Sequence, residues 1–119
     1  MPMAIVEKQI TKSVQHQTLA AGRWFTFSLA EQLANIGSEV SRASRARGDE
    51  KRFEGAVLRS FELFALTISD IRWRKRLKEL TRLRELFCDA ILGGAEYGTS
   101  LEDLDKYFYY FAFAARARR

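Results

Sequence analysis

One cysteine, Cys88, and one histidine, His16, are all the chain has of either residue. A lone cysteine excludes an internal disulfide and fits a reducing compartment. A lone histidine removes any His-rich metal site and leaves a Cys/His metal cluster without ligands. Proline occurs once, at position 2, so nothing after it interrupts a helix. No apolar run approaches the roughly 20 residues of a membrane span. The opening residues, Met1-Pro2-Met3-Ala4-Ile5-Val6-Glu7-Lys8, lack the basic start and apolar stretch of a secretion signal, so the cytoplasm is the expected compartment. What the chain does have is 119 residues, 47% hydrophobic and 29% charged, with a formal charge of +5. That is enough for one core and too little for two.

Glycines divide the chain: Gly22, Gly48, Gly93-Gly94 and Gly98 fall between periodic segments. Residues 1–22 hold few apolar side chains and read as an arm or short helix; residues 23–119 read as one domain. Leu29, Leu33, Ile36, Val40 and Ala43 recur at helical spacing and predict a first helix from Phe25 or Leu29 to Arg47. Ser28 and Glu31 have capping-box spacing at its start. Gly48 ends it and Asp49 caps the next helix, which makes the first two an antiparallel hairpin. The second, about Glu50 to Ser69, is apolar nearly all round. Phe53, Val57, Phe61, Phe64 and Ile68 form one face, while Leu58, Leu63 and Leu66 point elsewhere, towards other helices or another subunit. A third helix follows Asp70 and carries Trp73, Leu77, Leu80, Phe87 and Ile91. A fourth starts at Ser100-Leu101-Glu102-Asp103, with acids at its N-terminal end and Arg116, Arg118 and Arg119 at its C-terminal end. No stretch alternates as a strand does. The expected fold is all-α, an antiparallel up-and-down four-helix bundle with a short N-terminal arm.

Little in the sequence supports catalysis. Glu-x-x-His motifs of di-iron bundles do not occur. The glycines from Gly93 to Gly98 lack the Lys-Ser/Thr ending of a phosphate loop and enclose Glu96. Cys88 beside Phe87 reads as a small buried thiol. Glu31, Glu39 and Glu62 are readily accounted for by ion pairing. No enzyme, metal or cofactor is expected.

Positive charge is more informative. Arg72 to Arg84 holds seven basic residues against Glu79, and Arg74, Lys78 and Arg82, spaced i, i+4, i+8, share one helical face with Lys75 beside them. A second cluster (Arg42, Arg45, Arg47, Lys51, Arg52) brackets the first turn, and the tail adds Arg116, Arg118 and Arg119. These are the nucleic-acid-binding candidates: Arg74, Lys75, Lys78 and Arg82 are expected to make the phosphate contacts, with Arg42, Arg45, Arg47, Arg116, Arg118 and Arg119 as secondary contributors. A solvated face is the plainer alternative. From Tyr107 to Phe113 six of seven residues are aromatic, and consecutive residues cannot all face one core. Tyr107, Tyr109, Tyr110 and Phe113, with Leu58, Leu63 and Leu66, are therefore expected at an oligomer interface. Stacking on unpaired bases is the rival use of the rings.

Leu29-Ala30-Glu31-Gln32-Leu33, Ile36-Gly37-Ser38-Glu39-Val40, Arg47-Gly48, Lys51-Arg52-Phe53 and Ala56-Val57-Leu58-Arg59-Ser60-Phe61-Glu62-Leu63 together resemble the four helix bundle protein superfamily. That group includes proteins encoded in intervening sequences of large-subunit ribosomal RNA genes and the accessory variability determinant of diversity-generating retroelements. The resemblance implies a small basic bundle without a catalytic site that assembles as a ring-shaped homo-oligomer, typically a pentamer. In the retroelement branch it implies nucleic acid and a reverse transcriptase as partners. The expected function is a non-enzymatic oligomeric accessory protein whose basic surface contacts RNA or DNA in a nucleoprotein complex. The alternative is a scaffold that binds only protein.

Overall fold

A computed structural model describes residues 22–117. The expected arm, His16, Arg118 and Arg119 lie outside these, apart from a helical stretch through 22–24 where the description begins. Among the described residues the chain is all-helical: beyond that stretch come four α-helices and one 3-10 helix, with no strand.

The first helix, α1 (Leu29–Arg45), starts at the predicted capping box: Ser28 Oγ accepts from the Glu31 N–H (3.1 Å) and Glu31 Oε1 from the Ser28 N–H (3.0 Å). Leu33, Ile36, Val40 and Ala43 are buried as the spacing predicts, and Leu29 half-buried. The helix stops two residues before the expected Arg47, and Gly48 makes the turn in the left-handed region (φ 96°), where a side chain would be strained. Asp49 then caps α2 (Glu50–Ser69) by accepting from the Arg52 N–H. The two helices are antiparallel: Arg59 of α2 bonds Glu39 of α1, and Asp70, just past the end of α2, bonds Gln32, nearer the start of α1. Phe64 is fully buried. Leu63 and Leu66 are half-buried and pack on the core, and Leu58 is half-buried.

The predicted third helix is split. Ile71–Arg76 is a 3-10 helix with a non-helical Trp73 (φ −103°, ψ 22°), and the α-helix proper, α3, runs Leu77–Ile91. Asp70 explains the tight start, because its carboxylate accepts from the Arg72 backbone N–H two residues on and from the Arg72 guanidinium. Arg74, Lys75 and Arg76 also precede the α-helix instead of crowding its positive end.

The last helix, α4 (Leu101–Ala117), is reached by a loop that turns back along α3. Gly93 and Gly94 adopt positive φ (109° and 76°), the Gly94 N–H bonds the Asp89 carbonyl, and the buried Asp89 carboxylate accepts from the Glu96 and Tyr97 N–H groups, both at 3.0 Å. Tyr97 then lies under the Arg82 guanidinium, 4.9 Å from its ring centroid, well back along α3. From there α4 ascends beside α1. Leu29 and Leu33 share a groove with Asp103 and Leu104, Gly37 meets Phe108, and Arg42 and Arg45 share a second groove with Tyr109 and Ala112. In this arrangement α4 points the same way as α1, whereas an up-and-down order would oppose them. The difference arises in the returning loop. The core lies between α1, α2 and α4, with Phe87 of α3 closing it: its ring centroid is 5.3 Å from Phe61 and 5.8 Å from Phe64, and Phe64 is 6.3 Å from Phe108.

Candidate nucleic-acid interface

The α1–α2 turn gathers basic residues from both sides of Gly48. A Glu on the inner side of α1, Glu39, is 8% exposed and cannot stay buried as a bare charge. It accepts from Arg42, one turn on, and from Arg59 Nε of α2 at 3.0 Å, so one carboxylate fixes a guanidinium from each helix. Each guanidinium has five N–H donors, and those not spent on Glu39 remain available. Asp49 pairs with Arg52 at 3.5 Å. Arg45 and Arg47 have no carboxylate partner among the described residues. The result is a concavity of about 430 Å³ lined by Arg42, Arg45, Ala46, Arg47, Asp49, Arg52 and Arg59. Five arginines against Asp49 at the wall and Glu39 beneath leave it positive. Because α4 points the same way as α1, exposed Arg116 lies towards this end of the molecule.

The sequence assigned Arg42, Arg45 and Arg47 to this function, and the fold brings them together. It gave no role to Arg59. The spacing of Glu39 and Arg59 across a helical hairpin was the available signal, but it becomes readable only once the turn and register are known.

Arg74, Lys75, Lys78 and Arg82 lie at the opposite end. Arg74 and Lys75 are exposed on the 3-10 helix, Lys78 is exposed in the first turn of α3, and Arg82 stacks on Tyr97. Of the i, i+4, i+8 stripe only Lys78 and Arg82 keep α-helical spacing, because Arg74 lies in the 3-10 helix, on the far side of the non-helical Arg76 (φ −109°, ψ 7°) that precedes α3. Arg76 is taken by Glu79 at 2.8 Å. Nearby, the buried Asp70 ties four segments: it accepts from Gln32 Nε2 (3.1 Å) and Arg72, Arg72 donates to the Phe27 carbonyl (2.7 Å), and Gln32 in turn accepts from the Trp73 indole (2.9 Å). The Arg72 guanidinium holds the Asp70 carboxyl below the usual carboxylate range despite its burial. That network organises the fold and leaves Arg72 occupied.

Of the expected interface residues, Tyr109, Tyr110 and Phe113 are 65%, 73% and 66% exposed and Tyr107 45%, while their neighbour Phe108 is buried. Burial pushes the Cys88 thiol up, away from the thiolate that a nucleophile needs. Among the described residues no three His, Cys, Asp or Glu side chains are placed to hold a metal ion, and no helix is long and apolar enough to cross a membrane. No family model, curated protein or solved structure matches this sequence.

Proposed function

We propose that this is a non-enzymatic, homo-oligomeric four-helix accessory protein that binds the phosphate backbone of RNA or DNA at the arginine-lined end of its α1–α2 hairpin. The observation that carries this reading is the concavity formed by Arg42, Arg45, Arg47, Arg52 and Arg59. Guanidinium forks match phosphate oxygens two at a time, and Glu39 holds two of them in place before any ligand arrives. Arg74, Lys75, Lys78 and Arg82, with Arg116, supply secondary contacts. Membership of the four helix bundle protein superfamily is part of the same proposal. The scheme gives Cys88 no chemical role, in keeping with its raised pKa.

Contacts to phosphate carry no base information, so affinity should fall steeply with salt and change little with sequence. The test is fluorescence anisotropy of a labelled single-stranded RNA and a duplex DNA against the full chain across a salt series. The expected result for Arg45→Glu with Arg47→Glu is at least about ten-fold weaker binding and a salt slope shallower by about 2, with unchanged circular dichroism. Neither arginine holds a native carboxylate, so the fold has nothing to lose. Unchanged affinity in that variant would remove the assignment.

A further inference from the structure

The arginine concavity does not stop at the α1–α2 turn. Arg42 and Arg45 also wall a second groove, of about 240 Å³, that lies between α1 and α4 and carries Asp105 and Tyr109 on its α4 side. Helical spacing puts Tyr109 there. Leu101, Leu104 and Phe108 are buried in the core, so Asp105 and Tyr109, four residues apart, share the flank next to α1, while Tyr110 lies further round the helix, away from it. Tyr107 packs edge-on against Phe108 and Phe111, with centroids 5.8 and 5.4 Å away. The Tyr109 ring is 65% exposed, and among the described residues no ring or guanidinium lies on its face.

We infer that the ligand of this end is single-stranded, with its phosphates on the arginines of the concavity and an unpaired base stacked on Tyr109 in the adjoining groove. This rests on the phosphate-binding reading above and narrows it. The charges divide the labour. The concavity sets five arginines against Asp49, whereas in the groove Asp105 stands opposite Arg42 and Arg45. A carboxylate disfavours a second phosphate in the groove, yet it accepts readily from the N–H groups on a base edge. The shared wall places a stacking face beside phosphate donors, as a base lies beside its own backbone. Bases in a duplex are already stacked on one another, so only a strand with unpaired bases can offer one to the ring. Stacking accepts any base, because each has a π face, and so adds affinity with little sequence preference. Tyr110 and Phe113 take no part and stay open to subunit contacts.

The test is anisotropy of the full chain with three labelled ligands: an oligothymidylate of about 12 nucleotides, the same backbone built from stable abasic sites, and a duplex of that length. The natural chain should bind the base-bearing strand more tightly than the abasic one. Tyr109→Ala should weaken binding of the base-bearing strand at least about five-fold and leave the abasic strand and the duplex unchanged, while Tyr109→Phe keeps full affinity. Sedimentation of Tyr109→Ala should match that of the natural chain. An equal loss on all three ligands, no loss on any, or a loss that accompanies altered assembly would each overturn the stacked base. The two proposals separate cleanly. If all three ligands bind, Arg45→Glu with Arg47→Glu weakens them all and Tyr109→Ala changes nothing, only the stacking falls. If the natural chain binds none of them at low salt, phosphate binding falls with it.

Discussion

At the scale of single residues, two glycines inside helices have opposite meanings. A Cβ on Gly37 would stand 2.6 Å from Phe108 Cβ, so α1 and α4 approach as closely as they do only because position 37 has no side chain. A Cβ on Gly55 in α2 would meet nothing nearer than the Arg59 guanidinium at 3.4 Å, an ordinary van der Waals contact. Alanine is better than glycine in a helix interior by about 1 kcal/mol at both sites. At Gly37 that gain is outweighed by forcing two helices apart, which costs about 1–3 kcal/mol. Urea denaturation should therefore find Gly37→Ala less stable than the natural chain and Gly55→Ala more stable by about 0.5–1 kcal/mol. Gly55→Ala also serves as the control that glycine loss alone does no harm.

At the scale of elements, Asp70 joins α2, the 3-10 helix, α1 and the segment before it through Gln32 and Arg72. Its carboxyl is held below the usual range, so the folded state binds that proton less tightly than the unfolded chain does. The stability it contributes is thus fully present above the unfolded pKa of about 3.9 and is lost as pH falls through the lower folded value. Asp70→Asn should cost about 2 kcal/mol at pH 7, and the gap from the natural chain should shrink in acid, as measured by denaturation at pH 7 and pH 3. Helix starts and stops were legible without the structure wherever they depend on neighbours in sequence. Ser28 with Glu31, Gly48 and Asp49 bound α1 and α2 through bonds spanning three residues or fewer. The break at Trp73 and the return of the loop to α4 were not legible. Each is held by partners beyond the reach of a helical turn: Gln32, 41 residues earlier, for the Trp73 indole, and Asp89 and Arg82 for Glu96 and Tyr97 across the loop. For the same reason Arg42, Arg45, Arg47 and Arg52 were legible as a cluster, but Arg59 within it and the displacement of Arg74 from its stripe were not.

At the scale of the whole molecule, basic side chains collect at two ends of α1. Arg72 bonds the Phe27 carbonyl below Leu29, with Arg74, Lys75 and Lys78 following, while Arg42 to Arg59 surround the other end. A helix of 17 residues spans about 25 Å. At about 3.4 Å per nucleotide along a duplex strand, a ligand must reach roughly eight base pairs before it can touch both ends. Affinity measured over a ladder of duplex lengths should rise in a step near that size, and a curve already flat at shorter lengths would confine binding to the arginine end. The pairing of α1 with α4 also imposes an order of assembly. The α1–α2 hairpin joins sequence neighbours and can close early, whereas α4 is the last of the four helices to emerge during synthesis. Until it arrives, the notch at Gly37 lacks the cover that Phe108 provides. A nascent chain spends that interval with this surface open, and a slow or stalled ribosome would lengthen it.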